Sequence, residues 1–321
     1  MESTPEPLSY MKQLEKLQSR GMTFDNWEFA ESMIQQIGYY RIKEAAYPLA
    51  KVVNKELIYD GIRFRDVITR YLQDKNLRVY LLHSIEEIEV SIKTKFSNTL
   101  GFHGPFTYLD FSSWCNREEY CKHYLNDQQK NFIYRLKAKM RTSNSRDIRD
   151  KRNLNEKNLP TVWLATDILT FGDILHLLEL MSNNNLKRIA DCYDCTPKEF
   201  ISWIKCLKFV RNICAHNANI IDIKLNTTPT IIEEWRPLLF QFSDGKYTDR
   251  IAVILCIINR MMLKVNPNYN FNKIYSPVST IISRDNNIAK TLGFKGHNCL
   301  SELFPKSPKI TNRPHKKGFI K

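Results

Sequence analysis

Glycine and proline are scarce in this sequence, which contains 10 and 13 of them in 321 residues. Because these two residues supply most turn signals, their scarcity in a chain of this length favours long helices. No Gly-rich phosphate loop, G-x-S-x-G elbow or HExxH motif is present, so nucleotide hydrolysis, serine hydrolysis and zinc proteolysis have no support. We see no strand-rich region and no internal repeat, and we expect an all-α fold.

Long hydrophobic runs are also missing. The longest, IAVILCII at 251–258, is far shorter than the roughly 20 residues of a membrane span and instead predicts a buried helix. The first residues lack the basic and apolar regions of a signal peptide. The eight cysteines are scattered along the chain, which suits a reducing compartment. We therefore expect a cytoplasmic protein that has no membrane partner.

Metal-ligand spacings are rare in the sequence. Cys192 and Cys195 form a CxxC pair, but no second pair follows and the next histidine is His216. A structural zinc site needs four ligands. The sequence therefore predicts no metal site and no cofactor.

Acidic residues are few relative to basic ones. Asp and Glu number 34 against 48 Lys and Arg, which gives a formal net charge of +14 and a pI near 9.3. This balance attracts polyanions through long-range electrostatics, so nucleic acid is the first partner to test. Net charge alone is equally consistent with a contribution to solubility and nothing more.

Several segments carry the apolar period or the end signals of helices. Asp25 with Glu28 three positions later forms a capping-box pattern, and Gly38 marks the end of that helix. Thr196, followed by Pro and Glu at the first and third helical positions, starts another. The predicted helices cover about 25–37, 77–101, 117–140 and 163–183, and one that starts after Thr196.

One segment, FVRNICAHNANI at 209–220, sets Arg211, Asn212 and His216 among apolar residues. Burial of an unpaired polar group costs about 2–7 kcal/mol, so we expect a partner or a ligand to compensate. On a regular helix Asn212 and His216 share a face, whereas Arg211 and His216 are offset by roughly 140°. Arg211 and His216 reach one phosphate only if the helix bends here or if two copies meet across a symmetric interface.

These residue types suit phosphoryl transfer. Histidine exchanges protons near neutral pH, and arginine carries a permanent charge in a planar fork that fits phosphate oxygens. Together they suit attack of an RNA 2′-hydroxyl on the adjacent phosphate, a nucleophile that DNA lacks. The spacing alone is a weak signal because Arg78 and His83 repeat it. A helix end at which Arg211 and His216 bond carbonyls is the structural alternative.

The stretch RNICAHN at 211–217 resembles the signature of HEPN domains, and longer stretches resemble the Abi-like abortive-infection proteins of the AbiD and AbiF type. These stretches are IGYYRI at 37–42, LQDKNLRVYLLHSIEEIEVSIKTK at 72–95, LPTVWLATDILTFGDILHLL at 159–178 and LKFVRNICAHNANI at 207–220. The resemblance implies a HEPN-type helical bundle that cleaves RNA without a metal in bacterial defence against phage. Its catalytic pair corresponds to Arg211 and His216, and its polar companion to Asn212.

The resemblance and the composition together divide the chain into four expected regions. We expect an N-terminal helical region at 1–60, a HEPN-like helical core at 61–235, a C-terminal helical extension at 236–305 and a basic flexible tail at 306–321. We also expect a homodimer that binds RNA as substrate, and the family suggests a structured non-coding RNA as a further partner.

Chemistry and resemblance give His216 the role of general base and Arg211 that of phosphorane stabiliser, with 2′,3′-cyclic phosphate and 5′-hydroxyl ends as products. One rival hypothesis is a non-catalytic RNA-binding protein of the same fold, which holds a structured non-coding RNA. Another is a protein-interaction scaffold in which the motif is incidental.

Further residues are candidates for supporting roles. Glu89 lies on the predicted helix 77–101 and would orient the base from a facing helix, although an ion pair with Lys93 explains it as well. Arg78 of the same helix lies in a stretch that resembles the family, and a structural ion pair explains it equally well. Basic residues of the charged run 141–158, hereafter the insert, and of the tail are candidate RNA contacts, with a solvated surface as the plainer explanation of the insert. These residues are Arg141, Arg146, Arg149, Lys151, Arg152, Lys316 and Lys317.

Overall fold

The computed structural model describes residues 6–305. The predicted tail, with Lys316 and Lys317, lies outside the described residues. The described chain is an all-α bundle with one short hairpin, which confirms the predicted fold class. The helices are α1 Tyr10–Gln18, α2 Trp27–Ile37, α3 Tyr39–Ala46, α4 Phe64–Gly101, α5 Phe111–Trp114, α6 Lys122–Thr142, α7 Val162–Ile168, α8 Phe171–Leu180, α9 Asn183–Ala190, α10 Pro197–Ala215, α11 Ile251–Val265, α12 Asn272–Ile282, α13 Asn286–Thr291 and α14 Cys299–Leu303, and the antiparallel strands are β1 Lys51–Val53 and β2 Glu56–Ile58.

Helix α4 is the axis of the bundle. Its 38 residues extend over roughly 57 Å at 1.5 Å per residue, and it contacts α3, α7, α10, α11 and α12. The apolar residues at steps of three and four in the predicted helix 77–101, from Leu77 to Phe96, form one buried stripe that continues to Leu100. The helix begins at Phe64, whereas the sequence pattern predicts a start near Leu77. The prediction is late because the buried side of the first turns carries the charged residues Arg70 and Asp74, which interrupt the apolar period.

Two separate hydrophobic cores lie along α4. The first comprises buried side chains from Leu14 to Ile68, contributed by α1, α2, α3, the hairpin and the first turns of α4. The second runs from Leu77 to Phe304. Residues 236–305 belong to this second core, since α11 and α12 pack directly on α4. The predicted burial of the run 251–258 is confirmed, as all eight residues are buried.

One of the two predicted ends of α2 differs from the structure. Helix α2 is capped by Asn26, whose side chain accepts the N–H of Phe29, so the capping box predicted for Asp25 and Glu28 is wrong. The positive φ of Gly38 (+87°) ends α2 as predicted, in a backbone region that favours glycine.

The predicted helix over 163–183 is two helices, α7 and α8. Leu169 is extended between them, and Thr170 and Asp173 form a reciprocal capping box that starts α8. The hydrophobic period continues across this break, which is why the sequence pattern alone predicts one helix. Within residues 6–305, no helix combines the length and the apolarity needed to cross a bilayer.

Candidate functional site

The motif lies at the C-terminal end of α10, and both ends of this helix are specified locally. At its start, Thr196 and Glu199 form the predicted capping box, with Pro197 at the first helical position. One side of the helix, including Trp203 and Val210, is fully buried against α4, α8, α9 and α11. The burial of this side fixes which side chains of α10 face outward.

The helix ends in a Schellman motif directly after the motif histidine. His216 is the C-cap, and Asn217 adopts the left-handed conformation with φ of +57°. The N–H of Asn217 donates to the carbonyl of Cys214 at 3.2 Å, and the N–H of Ala218 donates to that of Ile213 at 3.2 Å. Asparagine tolerates this conformation better than most residues, so the sequence His-Asn itself signals the helix end.

Arg211, Asn212 and His216 are all exposed, whereas Val210 and Cys214 beside them are buried. The expected burial of the Arg and His side chains is therefore wrong, since α10 turns its apolar residues inward and these three outward. Among the described residues, none of the three side chains has a hydrogen bond or an ion pair. The helix is regular through Ala215, so Arg211 and His216 keep their offset of roughly 140°.

The exposed side of α10 is mostly basic, a feature that the residue pattern offered and that was missed. Counting 100° per residue, its exposed side chains fall within an arc of roughly 140° that ends at His216. Four of them are cations, and no acidic side chain of α10 is fully exposed; the four are Lys198, Lys205, Lys208 and Arg211. Lys205 pairs with Glu179 at 2.7 Å, and the other three form no ion pair with the described residues. These four cations are separated by 7, 3 and 3 residues, which is the spacing of one helix face, so the sequence could have predicted this face.

The backbone after His216 is held by a buried ion pair on α4. Nη1 of Arg78 donates to Oδ2 of Asp74 at 2.7 Å, to the carbonyl of Asn217 at 3.3 Å and to that of Ala218 at 3.0 Å. Asp74 and Arg78 are only 4% and 6% exposed, so these contacts are shielded from water. Arg78, a predicted supporting residue, thus contacts the chain next to the motif.

Asp74 is the second contact to this backbone, and sequence analysis missed it. Its Oδ1 accepts the N–H groups of Ile220 and Ile221, both at 2.8 Å. Burial raises the pKa of Asp74, while the two N–H groups and the Arg78 guanidinium lower it. A charged residue on the apolar stripe, four positions before an arginine, was the available signal.

A second ion pair holds the end of the same segment. We call residues 217–222 the post-helix segment. Asp222 pairs with Arg70 of α4, and its carboxylate also accepts the side-chain amide of Asn219 at 3.0 Å. The carbonyl of Asp222 accepts Nη1 of Arg250 at 3.2 Å. The post-helix segment is therefore fixed at both ends.

Glu89, the other predicted supporting residue, does not contact the motif. Its carboxylate pairs with Lys93 at 2.9 Å, the alternative that the sequence had left open. Glu89 lies eleven residues beyond Arg78 on α4, which is roughly 16 Å along the axis. The structure therefore brings Arg78, but not Glu89, to the chain beside His216.

The candidate RNA contacts of the insert lie far from the motif. Arg141 lies in the last turn of α6. Four exposed cations follow on, or directly before, two short 3-10 turns, namely Arg146, Arg149, Lys151 and Arg152. The insert leads into α7, which packs on the Gly101 end of α4. From Arg78 to Gly101 the helix rises by roughly 35 Å, so the insert and the motif lie near different ends of α4.

No group of three or more His, Cys, Asp or Glu side chains in the described part of the chain is arranged to hold a metal ion. Cys192 and Cys195 are free thiols. Burial raises the pKa of Cys195 to about 12, which makes it a poor nucleophile and a poor ligand near neutral pH.

Comparison with known proteins gives one match. A family model described as Abi-like protein matches residues 32–222, more than half of the chain. The matched region begins in α2 and ends at Asp222, so it includes α4, α10 and the whole post-helix segment. No match was found among curated proteins or among solved structures.

Proposed function

The chain belongs to the Abi-like protein family, and on this premise we propose that it is a metal-independent endoribonuclease of the HEPN type that acts in abortive infection against phage. The family supports the role in abortive infection. The ribonuclease activity is supported by the residues at the end of α10.

The exposed, unpaired state of the motif side chains is the observation that carries the proposal. A helix end in which Arg211 and His216 serve only structure would have them bonded to carbonyls, and neither makes such a bond among the described residues. They stand instead at the end of a basic face, beside a backbone that Asp74 and Arg78 hold in place. This arrangement favours contact with an anionic partner from outside.

In the proposed mechanism His216 removes the proton of an RNA 2′-hydroxyl. The resulting oxygen attacks the adjacent phosphorus, Arg211 stabilises the charge of the phosphorane, and Asn212 positions the phosphate. The bond from phosphorus to the 5′-oxygen then breaks, and that oxygen takes up a proton. The products are a 2′,3′-cyclic phosphate and a 5′-hydroxyl.

In a homodimer, the second copy of the chain would supply the residues that complete the site. Because α10 stays regular, Arg211 and His216 of one chain diverge, and a bent helix no longer explains how they meet. Two copies related by a two-fold axis would place the arginine of one beside the histidine of the other. The second histidine would then donate the proton to the leaving 5′-oxygen.

The alternative is a non-catalytic RNA-binding protein of the same fold that holds a structured non-coding RNA. The basic face of α10 favours it as much as it favours the enzyme, since both predict RNA affinity that falls with salt. The two hypotheses differ in turnover. The candidate cations of the insert, and Lys316 and Lys317, are secondary phosphate-binding residues under either, and the removal of each such cation should reduce the salt slope by roughly 0.7–0.9.

The test is incubation of the purified protein with total tRNA and a pool of structured RNAs in EDTA, followed by chemical mapping of the ends. His83→Ala is a matched control, because His83 is exposed and lies five residues after an arginine, as His216 does. We expect the wild type and His83→Ala to leave cyclic phosphates. His216→Ala and Arg211→Ala should cleave about 10²–10⁴-fold more slowly while they still bind RNA. Cleavage that EDTA abolishes would contradict the mechanism, and tight binding without cleavage would favour the alternative.

A further inference from the structure

We propose that Asp74 and Arg78 are positioning residues for His216. Neither side chain contacts the motif histidine. Together they fix the backbone that follows it, and with this backbone the direction in which its imidazole projects. The inference rests on the proposed function, since it concerns how the same site is held.

Four hydrogen bonds connect this pair to the chain after the histidine. Two buried side chains of α4 bind two carbonyls and two N–H groups of the post-helix segment, within five residues after His216. The histidine side chain has no bond of its own to the described residues, so the backbone on either side of it sets the direction of its Cα–Cβ bond and the rotamers open to the imidazole. Before it lies the helix α10, and after it lie these four bonds.

The chemistry of the pair indicates that its main role is to hold this backbone, and that the ion pair itself adds little stability. A buried ion pair gains little stability over well-packed apolar residues of similar size, because both charges must leave water. Here, however, the pair satisfies backbone donors and acceptors that apolar side chains would leave unpaired. An isosteric apolar pair would therefore release the post-helix segment.

The turn that follows His216 depends on the same pair. Asn217 must hold a left-handed conformation for α10 to end where it does, and the carbonyl of Asn217 itself accepts from Arg78. At the far end, the ion pair of Asp222 with Arg70 keeps the segment against α4. Loss of the inner pair would leave His216 adjacent to a turn held from one end only.

The experiment uses two conservative variants, Arg78→Lys and Asp74→Asn, and a matched control. Arg78→Lys keeps the charge but loses the planar fork, and Asp74→Asn keeps the shape but loses the ion pair. The control is Glu89→Gln, which removes a carboxylate of the same helix that pairs with Lys93 and does not reach the motif. Each protein is compared with the wild type by kcat and KM for RNA cleavage.

A second measurement does not depend on cleavage. The Cε1 proton of His216 is observed by NMR with labelled histidine and assigned by its absence in His216→Ala. Its chemical shift and line width report the surroundings and the mobility of the imidazole.

We expect both variants to shift or broaden the His216 resonance, and to lower kcat by about 10–100-fold with KM changed less than about twofold, since a small misplacement of a catalytic group costs that much. Glu89→Gln should change neither. If both variants lower the melting temperature but leave the resonance and kcat unchanged, the pair is only structural and the inference is wrong.

The failure of the proposed function looks different. In that case wild-type protein would not cleave RNA, but the His216 resonance would still report whether the pair positions the imidazole. If either variant does not fold, hydrogen exchange of the wild-type amides of Ile220 and Ile221 decides. Both should exchange as slowly as amides of the α4 core, and rapid exchange would overturn the inference.

Discussion

The post-helix segment and the insert are two connecting stretches that the structure fixes in opposite ways. The post-helix segment is bound by buried side chains from α4, about 145 residues earlier in the chain. The insert is held largely by its own neighbours: Asp150 caps the second 3-10 turn and pairs with Arg152 two residues on, on the surface. The difference lies in the location of the partners, which are buried and distant in sequence for the post-helix segment and exposed and local for the insert.

This difference also separates two kinds of cation. Arg78 is buried, and its Nη1 binds the Asp74 carboxylate and two carbonyls, so its charge is compensated within the protein. The cations of the insert are exposed, and those of α10 are exposed and largely unpaired. A buried charge here organises backbone, whereas an exposed one is available to RNA.

Replacement of Asp74 and of Asp150 by alanine should give the largest contrast in stability between the two segments. Asp74→Ala should lower the free energy of unfolding by about 3–5 kcal/mol, because it leaves the buried Arg78 guanidinium without its carboxylate and two N–H groups buried without a partner. Asp150→Ala should lower it far less, since the Asp150–Arg152 pair lies on the surface. Urea unfolding followed by circular dichroism measures both. Equal effects of the two substitutions would remove the distinction between the two segments.

Two of the asparagines with positive φ, one in each segment, give a smaller contrast. Asn217 and Asn158 have φ of +57° and +56°, one beginning the post-helix segment and the other in the insert. Replacement of either by Ala should destabilise the fold by about 1 kcal/mol, the penalty for a Cβ in this conformation without asparagine's local hydrogen bonding.

The asparagine variants should differ in function. Asn217→Ala should also slow RNA cleavage, because it alters the turn beside His216, whereas Asn158→Ala should not. Glycine at either position provides the control, as it adopts this backbone without strain. A cleavage rate that falls equally in both alanine variants would show that the rate follows stability rather than the turn.

Local signals predicted much of the fold and of the candidate site. The apolar stripe of α4 from Leu77, the capped start of α10 and the buried run 251–258 all follow from periodicity and capping within one segment. The break before α8 could not be predicted in this way, because Thr170 caps a helix inside a continuous hydrophobic period. Local signals thus define helices better than the interruptions between them.

Local signals could not predict the contacts that organise the site. Asp74 binds backbone N–H groups that no side-chain pattern marks, and its partners are distant in sequence. The exposure of Arg211 and His216 depends on which side of α10 the other helices cover. Both facts require the tertiary arrangement, which a single sequence does not give.

The smallest effect expected is on the titration of Asp150. Hydrogen bonds from the Arg152 side chain and backbone lower the pKa of Asp150 to about 2. Because the folded value lies below the ordinary one, this contact stabilises the fold above about pH 4, and its contribution is lost as the pH falls toward 2.

Salt should separate the Asp150 contact from that of Asp74. The Debye length falls from about 10 Å at 0.1 M to about 3 Å at 1 M, and exposed charges are screened far more than buried ones. Titration of the Asp carboxyl carbons by NMR should therefore show the pKa of Asp150 rising toward its usual range in 1 M NaCl, while that of Asp74 stays where it was. If the two carboxyls respond alike, water reaches Asp74, and the post-helix segment is held no more firmly than the insert.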